Sequence, residues 1–294
     1  GAKLHCRLTE EIPRGRSMMR QMRVRAGQET MEKSMGNEDV GVSIDSYVAT
    51  VEIRRPPNNF LDIDLIANLA SVLEGLDHET KVRSIVLAAA GKHFCAGANL
   101  QKRIDDQAAG KPQPAPGRHL YHEAQRLVQT RKPIVAAVHG SAIGAGLGLA
   151  LVADFRVTCK EARLAANFTA MGYHPGFGMT VTLPRVIGHQ RAKWLFLTGK
   201  RLPGDEAYAI GLADRLVAQD QVRHAAQEMA AEIAKAGPLG VQAARETLNL
   251  DLVPAFRAAT EREMFQQQVL RETNDFKEGV KAGFDRREPA FTAT

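Results

Sequence analysis

From about residue 44 onward the apolar residues follow two alternating periods. Residues 47–54 place Val48, Thr50 and Glu52 on one side and Ala49, Val51 and Ile53 on the other, the two-residue repeat of a strand. Pro56-Pro57-Asn58-Asn59 ends that run. Asp62 then stands where a helix cap would, ahead of Leu65, Ile66, Leu69, Val72, Leu73 and Leu76, whose three-and-four spacing predicts a helix with one apolar stripe. Residues 82–90 read as a buried strand through Ile85, Val86 and Leu87. A helix is expected over about 120–130, then strands over 133–138 and 154–158. This strand–helix alternation predicts an α/β fold with crossover connections. Residues 107–117, rich in Pro, Gly, Ala and Gln, read as a mobile loop. From about Gly178 the period is helical throughout, clearest over 222–235, 241–250 and 261–271. The division expected is a basic N-terminal extension (1–44), an α/β core (45–190) and a helical C-terminal region (191–294).

Composition narrows the class. At 294 residues, with 44% hydrophobic and 24% charged residues, the chain has the profile of a globular protein with an ample core. No apolar run approaches the roughly 20 residues that span a bilayer, and no signal-peptide pattern is visible. Cys6, Cys95 and Cys159 have neither disulfide-framework nor metal-ligand spacing. A cytoplasmic location, with no membrane partner and no metal, is therefore expected. The net charge of +6 is concentrated at the start, where Lys3, Arg7, Arg14, Arg16, Arg20, Arg23, Arg25 and Lys33 face Glu10, Glu11, Glu29 and Glu32. Such an arm could touch RNA or anionic lipid; the simpler reading is an exposed tail or leader, and nucleic acid is not the expected partner.

Two segments carry candidate chemistry. His93-Phe94-Cys95-Ala96-Gly97-Ala98-Asn99-Leu100 and Gly140-Ser141-Ala142-Ile143-Gly144-Ala145-Gly146-Leu147-Gly148 each follow a buried strand and offer small residues where a backbone N–H could meet a ligand. Two such amides converging on one point would make an oxyanion hole. The second segment also invites a dinucleotide reading. G-x-G-x-x-G, however, requires Gly at 149, where Leu149 stands, and no acidic residue follows at the proper distance. What survives is a helix N-terminus with free N–H groups and partial positive charge, suited to an anionic oxygen.

Several motifs agree in order with one family. Arg55-Pro56-Pro57-Asn58-Asn59-Phe60-Leu61, the Phe94–Leu100 loop, Lys132-Pro133-Ile134-Val135-Ala136-Ala137-Val138-His139-Gly140 leading into Gly144-Ala145-Gly146, and Asp154-Phe155-Arg156 are among them. So are Leu197-Thr198-Gly199 with Glu206-Ala207 and Gly211-Leu212, and Glu278-Gly279 with Phe284 and Arg286-Arg287-Glu288-Pro289. Over residues 47–291 the chain resembles the crotonase, or enoyl-CoA hydratase/isomerase, family. The resemblance implies a spiral of ββα units, a helical trimerisation region giving a homotrimer or dimer of trimers, and a bent acyl-CoA. Coenzyme A would enter only as part of the substrate, with no tightly bound cofactor. By position the oxyanion amides would be those of Ala98 and Ala145. Ala96 and Leu100 would line the pantetheine and acyl path. Asn99, on the coenzyme A side, would replace the family's common Asp and still accept a hydrogen bond. Arg55 and Lys92 would meet adenine or phosphate, and Phe284 lies in the tail that helps cover the nucleotide.

The family's carboxylates are missing. The three positions where members place them are Gly148, Phe168 and Gly176 here. Phe168 and Met171 would line the substrate pocket, which should be more apolar than in a standard hydratase. Another group could then move the proton, with His174 first and Tyr173 and His139 behind it. Alternatively, decarboxylation of a malonyl-type thioester would draw mainly on enolate stabilisation. A third reading is a protein that binds acyl-CoA without turnover. His119, Tyr121, His122 and Glu123 could enter the acyl pocket or form an ordinary helix face.

Overall fold

The structure, a computed structural model, describes residues 36–99, 109–110 and 119–294. The basic arm over 1–35, Leu100 and nearly all of the 107–117 stretch lie outside them.

The main sheet has six strands in the order β1-β2-β3-β4-β6-β9. β1 (Val40–Asp45) and β2 (Val48–Ile53) form an antiparallel pair. From β2 on, pairing is parallel through β3 (Ser84–Ala89), β4 (Ile134–Val138), β6 (Phe155–Thr158) and β9 (Arg215–Leu216). Every residue of β3 and β4 is buried, as in a parallel sheet covered on both faces, which is why these two read as continuous apolar runs. A second sheet joins β5 (Ser141–Ile143), β7 (Arg163–Ala165) and β8 (Arg201–Pro203). β1 begins inside the stretch expected as extension, so the sheet draws on residues 40–44 as well.

Between the strands run α1 (Ile63–His78), α2 (Leu120–Leu127) and α3 (Ala145–Val152). Asp62 caps α1 by accepting from the Leu65 N–H at 2.9 Å. All eight residues of α3 are buried, as expected of a helix that is apolar all round. Beyond it come α4 (Met179–Ile187), α5 (His189–Thr198), α6 (Gly204–Ala209), α7 (Val222–Ala234), α8 (Pro238–Leu248), α9 (Leu252–Leu270) and α10 (Asn274–Asp285).

The helical run expected after Gly178 is interrupted by two short strands. β8 and β9 lie there, and α7 docks on the main sheet, where Ser84 Oγ donates to the Ala230 carbonyl at 2.7 Å. Strands of two and three residues carry too little alternation to register against the flanking helical period. The Asp154-Phe155-Arg156 motif is a structural tie. Asp154 accepts from the Ile134 N–H and from Arg245, and the buried Arg156 guanidinium donates to the carbonyls of Leu212 and Ala153.

Candidate active site

The loop after β3 is clamped on both flanks. On one side the Leu61 N–H donates to the Gly97 carbonyl at 2.8 Å and the Asn99 N–H to the Leu61 carbonyl at 3.3 Å. On the other, the Cys95 N–H donates to Ser141 O at 2.9 Å and the Ile143 N–H to Cys95 O at 3.0 Å. Asn59, fully buried, ties the base of the loop. Its Nδ2 donates to the carbonyls of Ala90 and His93 at 2.8 and 2.7 Å, and its Oδ1 accepts from the Arg55 N–H. The first turn of α3 lies directly on this loop: a Cβ on Gly146 would stand 2.2 Å from the Cys95 carbonyl oxygen. The two segments singled out in the sequence are therefore one joined unit.

At that junction the N–H groups of Ala98 and Ala145 find no acceptor among the described residues. Ala98 is half-buried and Ala145 only 5% exposed. Ala145 is the first residue of α3, so its free N–H adds to the partial positive charge of the helix terminus. Cys95 offers no nucleophile here: complete burial pushes its thiol up to about 12.

Aromatic side chains occupy or crowd positions 148, 168 and 176. A Cβ on Gly148 would stand 2.7 Å from Phe177 Cβ and 2.8 Å from its ring. Phe168 is 5% exposed, and its ring tip reaches the Gly144 turn. A Cβ on Gly176 would fall 1.7 Å from the Tyr121 hydroxyl and 2.5 Å from Gln267 Nε2. The Tyr121 and Phe177 rings meet edge to face with centroids 6.2 Å apart. Tyr121 donates to Gln267 Oε1 at 2.9 Å, and Gln267 Nε2 donates to the His174 carbonyl at 2.8 Å. Tyr121 thus has a specific place, one that helical spacing alone left open.

The proton-transfer candidates are engaged elsewhere to differing degrees. His174 Nδ1 lies 2.6 Å from the Pro175 carbonyl, and His139 Nε2 lies 2.9 Å from the Gly91 carbonyl. The Tyr173 hydroxyl accepts from Arg271 at 2.7 Å. Among the expected CoA contacts, Arg55 is held by Asp39 (2.6 Å) and Asp62 (2.7 Å), which keep its guanidinium firmly protonated. Lys92 is exposed, Ala96 and Asn99 are half-buried beside Leu61, and Phe284 on α10 is exposed. Met171 is half-buried, with its backbone against Gly279 of α10.

Glu263 and Gln267 went unnoticed in the sequence. With Phe256 and Thr260 they form the buried face of α9 at helical spacing, and that polar-lined stripe is the signal that could have found them. The Glu263 carboxylate accepts from the Gly178 N–H (2.7 Å), the Thr180 N–H (3.1 Å) and Thr180 Oγ1 (2.6 Å), capping α4 from a distant helix. Burial outweighs these donors and pushes its pKa up to about 7. The folded protein therefore holds a proton there that the unfolded chain releases near 4.5. Stability should fall as pH rises from about 4.5 through about 7, by up to about 3 kcal/mol. Denaturation at pH 5 and pH 8 should show that this share of the pH dependence is lost in Glu263→Gln. An unchanged difference between the two pH values would remove Glu263 as its source.

Among the described residues no cluster of three or more His, Cys, Asp or Glu could hold a metal ion, and no helix is long and apolar enough to cross a membrane.

Comparison with known proteins gives this geometry a family. The sequence profile of the family described as enoyl-CoA hydratase/isomerase matches residues 43–294. The chain is 31% identical to YngF of Bacillus subtilis (strain 168), which carries the name enoyl-CoA hydratase/isomerase, over 87% of this chain and 99% of that protein. It is 30% identical to the 1,2-epoxyphenylacetyl-CoA isomerase of Escherichia coli (strain K12), over 85% of this chain and 96% of that enzyme. The crystal structure of an enoyl-CoA hydratase/isomerase from Pseudoalteromonas atlantica T6c superposes with a TM-score of 0.77 at 29% identity, covering 86% of this chain and all of that one. The expected crotonase-like α/β fold with a helical C-terminal region is thereby borne out. A profile match over most of the chain and relatives aligned nearly end to end place this protein in the enoyl-CoA hydratase/isomerase family.

Proposed function

We propose that this protein binds an acyl-CoA thioester with its carbonyl oxygen between the N–H groups of Ala98 and Ala145 and stabilises the enolate formed there. The observation that carries the reading is the pair of acceptor-free amides at the junction of the β3 loop and α3. An N–H donor aimed at a developing oxyanion is worth about 2.7–4 kcal/mol of transition-state stabilisation. Polarising the thioester carbonyl acidifies the α-carbon, which serves hydration, isomerisation and decarboxylation alike.

We assign proton transfer to His174, whose Nδ1 faces the Pro175 carbonyl while its Nε2 finds no partner among the described residues. A positioned acid or base contributes about 10²–10⁴ in rate. With hydration of crotonyl-CoA followed by absorbance, His174→Ala should lose turnover by about that factor. Unchanged turnover in this variant would take His174 out of the reaction.

Aromatic filling at Gly148, Phe168 and Gly176 favours a second reaction on the same framework. A malonyl-type thioester bound between the amides would break its carbon–carbon bond to release CO₂, leave the electron pair on the enolate and take a proton from water. No enzymic carboxylate is needed for that sequence. Mixing the protein with crotonyl-CoA and malonyl-CoA and following absorbance and mass separates the two reactions. Tight thioester binding without turnover of either substrate would indicate a non-catalytic binder instead.

In this reading Lys92, Ala96, Asn99, Arg55 and Phe284 face coenzyme A, and Phe168 and Met171 face the acyl group; Leu100, expected on the same path, lies outside the described residues. The proposal includes a cytoplasmic homotrimer or dimer of trimers. Its support is the run of exposed apolar side chains Leu239, Leu248 and Leu250 in and after α8, with Phe265 and Val269 on α9.

A further inference from the structure

We propose that Asn167 reads a hydroxyl group on the acyl chain, so that the preferred substrates are hydroxyl-bearing acyl thioesters rather than bare hydrocarbon ones. This rests on the thioester reading of the Ala98–Ala145 site. Asn167 is 7% exposed, and its Oδ1 is buried with no hydrogen-bond partner. Its Nδ2 likewise donates to nothing among the described residues. A buried acceptor left unpaired costs about 1–3 kcal/mol, which a ligand able to donate to it would recover.

The location gives that cost a purpose. Asn167 Oδ1 stands 3.8 Å from where a Cβ on Gly144 would be, and Gly144 immediately precedes Ala145 and its acceptor-free N–H. Phe168 beside it carries no polar atom, and Phe177 fills the space at Gly148. The amide thus lies beside the Phe168 ring against the Gly144 turn, which leads directly into the proposed oxyanion donor Ala145. No hydrogen bond among the described residues holds it, so turning it toward a ligand breaks none of theirs. A carboxamide donates through nitrogen and accepts through oxygen but cannot take a proton at neutral pH, so it recognises rather than catalyses. A hydroxyl, which both donates and accepts, is its complement. Sites built to pair a substrate hydroxyl reject analogues that lack it far more strongly than apolar pockets reject an extra methylene.

The test is calorimetric titration of the whole protein with butyryl-CoA, 2-hydroxybutyryl-CoA, 3-hydroxybutyryl-CoA and free CoA. At least one hydroxyacyl thioester should bind about tenfold more tightly than butyryl-CoA. In Asn167→Leu that ratio should fall to near one. Asn167→Ala provides the same reading should the leucine variant not fold. Absence of a preference in the unmodified protein, or a ratio that survives substitution, overturns the inference; the latter is what a purely structural Asn167 would give. Binding of butyryl-CoA no tighter than free CoA would instead overturn the thioester reading itself.

Discussion

Ala145→Pro should abolish most of the turnover while leaving the fold intact. Proline at this position removes one N–H and puts a ring carbon in its place. The first position of a helix is where proline is best tolerated, because the missing hydrogen makes no helical bond there. Ala145 is that first residue of α3, and its N–H finds no acceptor among the described residues. On the proposed reading the substitution therefore deletes an interaction made only with the ligand. Losing one oxyanion donor should cost about 10²–10³ in kcat, or about 2.7–4 kcal/mol. Far-UV circular dichroism and thermal unfolding would establish that the variant is folded. Ala145→Gly, which keeps the N–H, should retain activity. A folded proline variant turning over at the original rate would mean that no oxyanion meets Ala145.

Gly146→Ala should act on the same site through the backbone. The added methyl would stand 2.2 Å from the Cys95 carbonyl oxygen and 2.9 Å from the Cys95 carbonyl carbon, so main chain must move. Overpacking of this kind costs about 1–3 kcal/mol. The shift also separates Ala98 from Ala145, since Cys95 and the 141–143 strand are bonded to each other on the other side of the contact. Denaturant titration should register the lost stability, and turnover measured well below the unfolding midpoint should fall further than stability alone explains. Gly240→Ala in α8, where an added Cβ meets nothing within 4 Å, should leave both almost unchanged. If Gly146→Ala behaved like Gly240→Ala, the close junction of loop and helix would not be what holds the two amides together.

How far the sequence discloses this arrangement depends on which physical signal each part carries. β3 and β4 are wholly buried, so their apolar runs mark them without ambiguity. β5, β7, β8 and β9 are two or three residues long and are fixed by tertiary pairing, which leaves almost no local pattern. α9 extends over Leu252–Leu270, yet only about 261–271 reads as a clear helix in the sequence, and the Glu263 and Gln267 that it buries there are polar, so an apolar count does not mark them as inward-facing. The two segments could be located from small residues after buried strands, and the resemblance to the family then singled out Ala98 and Ala145 within them. The crowding at Gly148 and Gly176 could not be located that way. Tyr121, Phe177 and Gln267 converge there only through folding, and Tyr121 is far along the chain from the Gly176 turn it fills. Asn167 was in plain view beside Phe168, but an unpaired amide is a property of three-dimensional surroundings and has no signature in residue order.

The oxyanion interaction is best tested at the carbonyl itself. Butyryl-CoA labelled with ¹³C at the thioester carbon can be bound to the protein and its carbonyl stretch isolated by isotope-edited difference infrared spectroscopy. Two N–H donors withdraw electron density from the C=O bond, so the band should move to lower frequency on binding and move back toward its solution position in Ala145→Pro. A bound thioester whose carbonyl band does not shift, in a protein that demonstrably holds the ligand, would contradict the placement of that oxygen between Ala98 and Ala145.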